Sequence, residues 1–183
     1  IWLANVAAKT QRQLTNIPEG LSPGMPTFSA DGRWLVFTAT RGGLVPEDLP
    51  WNGPLVRSME TVTRERRVGV VAAQGGDIAW LPTVGQVSGA QFASGGSVVY
   101  QELSPDGKTR EIKVQRLGGQ PRVLWRDRDD RWWSPTNRDA KLLVSPDGTS
   151  LAFVSDRSGW IHLYVIPIDA TSESQAKQLT TGN

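Results

Sequence analysis

Few side chains of this sequence could perform covalent catalysis. His162 is the sole histidine, so a Ser-His-Asp triad would have to use it, and it lies at the predicted start of a strand. A structural hydrogen bond at a strand entrance explains that position better. The sequence contains no Gly-x-Ser-x-Gly elbow and no phosphate-binding loop. We therefore expect this chain to have no catalytic residues of its own.

The acidic run at 127–130 is the best candidate for a metal site. An EF-hand loop starting at Asp127 would need glycine at its sixth position and a carboxylate at its twelfth. Trp132 and Arg138 stand there instead. Because arginines interleave with the carboxylates, we expect a solvated, locally ion-paired loop. The sequence therefore predicts neither a metal nor a cofactor.

Two segments contain residues suited to contact a peptide or a partner protein. A carboxylate held over a cavity could bind an amino terminus, an arginine could bind a carbonyl or carboxylate, and tryptophans provide aromatic surface. The candidates are Glu47, Asp48, Trp51, Glu60, Arg64, Trp132, Trp133 and Arg138. Two other interpretations stay open: 41–66 could be a solvated insertion, and the Trp132-Trp133 pair could wedge its loop against neighbouring blades.

A repeated hairpin supplies the elements that must position these residues. Its best copy, at 144–157, is an apolar run, a Ser-Pro-Asp-Gly turn and a second apolar run, and weaker copies lie at 28–38 and 92–100. Proline presets φ, aspartate hydrogen-bonds to its own backbone, and glycine takes the positive φ of the return. A further Ser-Pro-Asp-Gly turn at 104–108 has different flanks, and its spacing places it between the second and third strands of a blade.

A second two-strand hairpin turns at Gly-Gly pairs beginning at Gly75 and Gly118, 43 residues apart. Such a period is typical of propeller blades. We predict an all-β fold, a partial β-propeller of about three and a half four-stranded antiparallel blades. The predicted divisions are a half blade at 1–15 and blades at 26–81 (with an insertion at 41–66), 90–125 and 141–180.

The predicted meander separates short turns from long loops. Turns between strands one and two, and between three and four, share one side of the propeller, and the remaining loops share the other. We expect binding on the side with the long loops at 41–66, 126–139 and 156–161. Asp156 and Arg157 are expected to bond within their own blade. The aromatic residues predicted to pack between blades are Trp34, Phe37, Phe92, Tyr100, Phe153 and Tyr164.

Composition narrows the class of protein. Hydrophobic residues make up 38% and charged residues 21% of the 183 residues, with 19 glycines, 12 prolines and 8 tryptophans, which suits a turn-rich globular fold. A net charge of +2 without basic blocks does not indicate nucleic-acid binding. No apolar run is long enough to span a membrane. Without cysteine the compartment stays open, and the bacterial periplasm and the cytoplasm are both compatible.

The stretch 144–165, which includes Asp-Arg-Ser-Gly-Trp-Ile-His-Leu-Tyr, together with Gln178-Leu179-Thr180, resembles the propeller of prolyl-oligopeptidase-type serine peptidases. The dipeptidyl-peptidase and acylaminoacyl-peptidase branch is the most similar. The resemblance implies a propeller that gates and orients peptide substrates for an α/β-hydrolase domain of the parent chain, which carries the triad. No Glu-Glu pair matches the family's recognition motif.

The chain begins and ends inside repeat-like sequence, so we interpret it as a piece of a larger protein. The expected partners are a peptide substrate and the hydrolase domain, and the isolated segment is expected to self-associate through uncovered blade faces. The alternative is a TolB-like propeller that acts as a protein-binding scaffold with no enzyme attached. A sugar-active propeller has thin support, since only one histidine and no metal cluster are present.

Overall fold

The computed structural model describes residues 1–41, 65–130 and 141–182. A two-stranded half blade comprises β1 (Trp2–Asn5) and β2 (Thr10–Gln13). Blade 1 comprises β3 (Leu21–Pro23), β4 (Thr27–Phe28), β5 (Trp34–Arg41), β6 (Arg66–Ala72) and β7 (Ala79–Trp80). Blade 2 comprises β8 (Gln86–Phe92), β9 (Ser97–Leu103), β10 (Thr109–Arg116) and β11 (Arg122–Arg128). Blade 3 comprises β12 (Leu143–Val144), β13 (Ser150–Ser155), β14 (His162–Pro167) and β15 (Lys177–Gln178).

Strands pair antiparallel with their neighbours in the chain, except that β3 and β4 both pair with β5. This confirms the predicted all-β fold, a partial propeller built of four-stranded meanders. The helical elements in the three described ranges are two single 3₁₀ turns, Ser94–Gly96 and Glu173–Gln175. No helix there is long and apolar enough to cross a membrane.

The first strand of blade 1 starts earlier than the predicted 26 and is broken in two. Both β3 and β4 pair with β5. Gly24, between them, donates its N–H to the carbonyl of Thr38 at 2.6 Å, and Pro26 has no N–H to donate. Because of this interruption, the sequence of residues 21–28 lacks the continuous pattern of one strand, and the prediction missed β3.

The Ser-x-Asp-Gly turns at 29–32, 104–107 and 145–148 have one hydrogen-bond pattern. In the last of them, Ser145 Oγ donates to Asp147 Oδ1 at 2.5 Å, the same oxygen accepts Thr149 N–H at 3.0 Å, and Ser145 Oγ accepts Ser150 N–H at 2.9 Å. The equivalent bonds recur in the other two turns. The third glycine of this set, Gly148, has φ +72°, as predicted. The 104–108 turn joins β9 to β10, which is also as predicted.

Each blade has a preceding face, directed at the blade before it in the chain, and a following face, directed at the next blade. Side chains alternate between them along each strand. The half blade and blade 1 enclose a cluster around Phe37, blades 1 and 2 one around Tyr100, and blades 2 and 3 one around Phe153 and Tyr164. These buried aromatic residues confirm the predicted packing between blades. Trp34, by contrast, is 38% exposed, because it is the first residue after the turn, where the sheet ends.

Candidate functional site

A charged cleft opens on the long-loop side of blade 2, where we expected binding. It has a volume of about 410 Å³. Its walls come from the link between blades 1 and 2, from the β9–β10 turn and from the outer strands β10 and β11. Its lining residues are Val84, Gly85, Glu102, Ser104, Pro105, Thr109, Glu111, Lys113, Arg126 and Arg128.

Glu102 ties the link between blades to the inner part of the cleft. Its carboxylate accepts the backbone N–H groups of Val84 and Gly85 and forms an ion pair with Lys113. Burial works against ionisation of Glu102, but the hydrogen bonds from Gly85 and Lys113 outweigh it, so its pKa lies below the ordinary value. Gly85 is required there, since a Cβ would lie 1.9 Å from the carbonyl oxygen of Leu103.

A chain of ion pairs runs outward from Glu102 across the sheet. Lys113 Nζ lies 3.0 Å from Glu111 Oε2, and Glu111 Oε1 accepts Arg126 Nε–H at 2.7 Å. Burial works against the charge of both Glu111 and Lys113, but their ion pairs outweigh it. The pKa of Glu111 is therefore lowered and that of Lys113 is raised. Glu111 and Lys113 thus both stay charged at neutral pH.

The outer rim of the cleft is cationic. Arg126 and Arg128, on alternate positions of β11, have side chains 54% and 57% exposed, whereas Glu102 and Glu111 lie deeper. Arg128 donates to Thr109 Oγ1 at 3.3 Å and pairs with Asp130. Exposed guanidinium groups bind carboxylates and carbonyl oxygens through charge-assisted hydrogen bonds. This arrangement suits the carbonyl or carboxylate groups of a peptide.

The opposite face of β11 holds blades 2 and 3 together through Asp127. A register shift opposite Ile112 and Lys113 places the consecutive residues Leu124 and Trp125 in the same cluster. Beyond it, Asp127 accepts Arg110 Nη2–H at 2.6 Å, Trp125 Nε1–H at 2.8 Å and Ser155 Oγ–H at 2.7 Å. The expectation of a solvated loop was wrong for Asp127, which is buried, because β11 continues through Arg128.

Arg157 bridges blades 2 and 3 in addition to the bonds within its own blade that were expected. Its guanidinium carbon lies 3.7 Å from the centre of the Trp125 ring, and Nη2 donates to the backbone carbonyl of Arg126. It also pairs with Glu173 at 2.8 Å. The cation–π contact and the carbonyl bond fix the start of the 156–161 loop against β11.

His162 occupies the structural position expected for it. Its Nδ1 lies 3.3 Å from Thr180 Oγ1, and the same oxygen accepts the N–H of Leu163 at 2.9 Å. In the described ranges, no group of three or more histidine and acidic side chains is placed to hold a metal ion.

The predicted binding residues lie outside the described residues: Glu47, Asp48, Trp51, Glu60, Arg64, Trp132, Trp133 and Arg138. The cleft instead uses strand residues that the sequence analysis overlooked. One signal was available, because Arg126 and Arg128 alternate with Asp127 as the side chains of a strand do.

Comparison with known proteins identifies a family and a fold. A profile for the dipeptidyl peptidase IV (DPP IV) N-terminal region matches residues 77–183. A Bacteroides ovatus protein assigned as a dipeptidyl aminopeptidase IV superposes with a TM-score of 0.67 and 18% identity, covering 100% of this chain and 33% of that chain. Porphyromonas gingivalis dipeptidyl peptidase 4 gives 0.65 and 13%, covering 100% and 30%. Pyrococcus horikoshii acylaminoacyl peptidase gives 0.56 and 11%, covering 87% and 25%.

This chain thus spans about a third or less of the length of these solved structures. A search of curated proteins found no significant match. At these identities the superpositions show a shared fold, and the profile supplies the family.

Proposed function

The chain belongs to the family of dipeptidyl peptidase IV N-terminal regions, and from that premise we propose that it is the non-catalytic propeller segment of a serine peptidase. In this role it gates and orients peptide substrates for a hydrolase domain carried elsewhere in the polypeptide. Family membership supports the assignment to a peptidase. The observation that carries the binding role is the cationic rim of the charged cleft.

The arginines of the rim can bind a peptide while the ion pairs deeper in the cleft stay intact. Glu102 forms an ion pair with Lys113, and Glu111 forms ion pairs with Lys113 and Arg126. The carboxylates at the bottom of the cleft therefore have cationic partners before a ligand binds. Arg126 retains exposed N–H groups beyond its pair with Glu111. An extended peptide could therefore place a carbonyl or a terminal carboxylate against Arg126 and Arg128 without breaking the inner ion pairs.

Rigid support makes this rim suitable for orienting a substrate. Arg126 and Arg128 project from a strand rather than from a loop. Asp127 between them accepts two hydrogen bonds within blade 2, from Arg110 and Trp125, and one from Ser155 of blade 3. Groups held on a rigid scaffold lose little entropy when they bind. The Arg157 contact with the Arg126 carbonyl further fixes the backbone at the rim.

Titration of the full chain with trialanine and with trialanine amide, followed by NMR chemical shifts, tests the proposal. We expect the free carboxylate form to bind more tightly, and each of Arg126→Gln and Arg128→Gln to weaken binding about tenfold, since a charge-assisted bond contributes about 1.5–3 kcal/mol. The chain alone should not hydrolyse either peptide.

Arg116→Gln is the matched control, because Arg116 is also an exposed arginine near a strand end but lies on the short-turn side of blade 2. It should leave binding unchanged. Equal loss of affinity in all three variants would indicate a general charge effect and contradict a specific rim site. Peptide hydrolysis by the chain that is abolished by His162→Ala would contradict the non-catalytic role.

A further inference from the structure

The two arginines on the rim of the charged cleft differ in how firmly their partners hold them. Arg126 directs Nε and Nη2 at one oxygen of Glu111, at 2.7 and 2.6 Å. The Glu111 side chain is only 19% exposed and also forms an ion pair with Lys113. A ligand could displace Glu111 only by disrupting several contacts at once, so this pair stays closed.

Arg128 has a partner that a ligand can displace more easily. Its Nη2 lies 2.6 Å from Asp130 Oδ1, and both side chains are more than half exposed. Its Nη1 donates to Thr109 Oγ1 at 3.3 Å, which is long for a hydrogen bond. Water screens an exposed pair and competes for its hydrogen bonds, so the pair of Arg128 with Asp130 is weak. Within the described ranges, Asp130 forms no other hydrogen bond or ion pair.

Asp130 continues the row of side chains that forms the rim. β11 ends at Arg128, and Asp129 extends the strand pairing by donating its N–H to the carbonyl of Lys108 at 3.1 Å. Since side chains alternate along an extended chain, Arg126, Arg128 and Asp130 lie on the same side of the sheet. The carboxylate of Asp130 therefore lies on the side of Arg128 that a peptide in the cleft would contact.

The atom of Arg128 that Asp130 occupies is the one that a ligand carboxylate needs. A guanidinium holds a carboxylate best through two parallel N–H bonds. Both edges of the group that offer such a pair include Nη2, together with either Nε or Nη1. A second carboxylate at this atom would also be repelled by Asp130, because two like charges would lie close together. Asp130 and a ligand carboxylate are therefore alternatives at Arg128.

We propose that Asp130 is an intramolecular competitor at the cleft, and that a peptide binds by exchanging its own carboxylate for that of Asp130 on Arg128. The exchange rests on the proposed function and identifies a residue that sets the affinity of the same site. Arg128 keeps one carboxylate partner throughout, and the pair of Arg126 with Glu111 is unchanged. Asp130 returns to solvent on release, since its side chain is already exposed.

Titration of the full chain with trialanine, followed by NMR chemical shifts, tests the exchange. Asp130→Asn should tighten binding about threefold to fivefold, because it removes a weak competing pair from Arg128. In the wild-type chain, the resonance of the side-chain carboxyl carbon of Asp130 should shift as trialanine is added. Asp130 is exposed, so the variant should keep its fold, which circular dichroism verifies.

A double-mutant cycle separates direct competition from a general effect of charge. In the Arg128→Gln background, Asp130→Asn should no longer tighten binding, because the group for which Asp130 competes is gone. Asp106→Asn is the matched control and should leave the affinity unchanged. The pKa of Asp106 is lowered chiefly by a hydrogen bond from Ser104 and less by the charge of Arg128. Asp106 therefore lies near Arg128, but no ion pair joins the two in the described part of the chain.

The outcomes for the exchange and for the peptide site can be told apart. If the wild type binds trialanine and Asp130→Asn binds it equally well, the exchange is overturned and the proposed peptide site stands. An equal gain in Asp106→Asn, or a gain that persists in the Arg128→Gln background, would show a general charge effect and would also overturn the exchange. A wild-type chain that does not bind trialanine would contradict the peptide site itself, and the exchange with it.

Discussion

Replacing Asp127 with asparagine should destabilise the protein far more than an ordinary ion pair would suggest. The carboxylate and its partner Arg110 both have side chains only 3% exposed, and their atoms lie 2.6 Å apart. Asp127→Asn leaves the Arg110 guanidinium buried without a counter-charge, and breaking a buried pair in this way costs about 3–5 kcal/mol. We expect a loss of that size in the free energy of unfolding.

Asp130→Asn is a closely matched control. Asp130 pairs with Arg128 at the same distance of 2.6 Å, but the two side chains are 71% and 57% exposed. Exposed pairs contribute about 0–1 kcal/mol. The two variants therefore differ mainly in burial, and the comparison isolates its effect.

Urea denaturation followed by far-ultraviolet circular dichroism measures both changes. With a slope of about 2 kcal/mol per molar urea, Asp127→Asn should lower the midpoint by about 2 M, and Asp130→Asn by less than about 0.5 M. Combining Arg110→Met with Asp127→Leu should recover part of the loss, because no unpaired charge remains, while the Trp125 and Ser155 donors still lack an acceptor. A shift for Asp127→Asn no larger than that for Asp130→Asn would refute the reasoning.

Two further predictions concern a turn and the cleft. Gly148→Ala should lower the free energy of unfolding by at least about 2 kcal/mol, because φ is +72° and a Cβ would lie 2.6 Å from the backbone nitrogen of Ser94. Gly32→Ala, at φ +67° with open space around it, should cost only about 1 kcal/mol. Equal shifts in the melting temperature of the two variants would contradict the contact between blades. The pKa of Glu102 is lowered from 4.5 by folding, so its stabilisation is present above that value and is lost as pH falls through the lowered pKa. Glu102→Gln should therefore show a shallower acid loss of stability than the wild type in urea midpoints from neutral to acid pH.

Local chemistry made the architecture predictable. The serine and aspartate side chains of the Ser-x-Asp-Gly turns bond within the same six residues, so the shape of each turn follows from its local sequence. Alternating apolar strands around such turns determine which side chains are buried, and Phe37, Tyr100 and Phe153 were identified from that pattern. Trp34 was not distinguished from them, because its exposure depends on where the sheet ends.

The charged cleft and the Asp127 network were less accessible from sequence. Asp127, Arg128 and Asp130 resemble a solvated charged loop in composition, and it is the pairing of β11 with β10 that extends the strand through Arg128. The register shift opposite Ile112 and Lys113 further changes which residues face blade 3. Such nonlocal pairing is not encoded in the spacing of one strand.

The recurrence of one Ser-x-Asp-Gly turn in two different connections has a consequence for how the chain folds. Each turn is closed by bonds among its own six residues, so it can form before any blade is assembled. Hairpins form in microseconds, whereas distant strands must first overcome the entropy of closing a long loop. A turn formed early fixes the register of its two strands. Slow steps should then be confined to docking one preformed hairpin against the next.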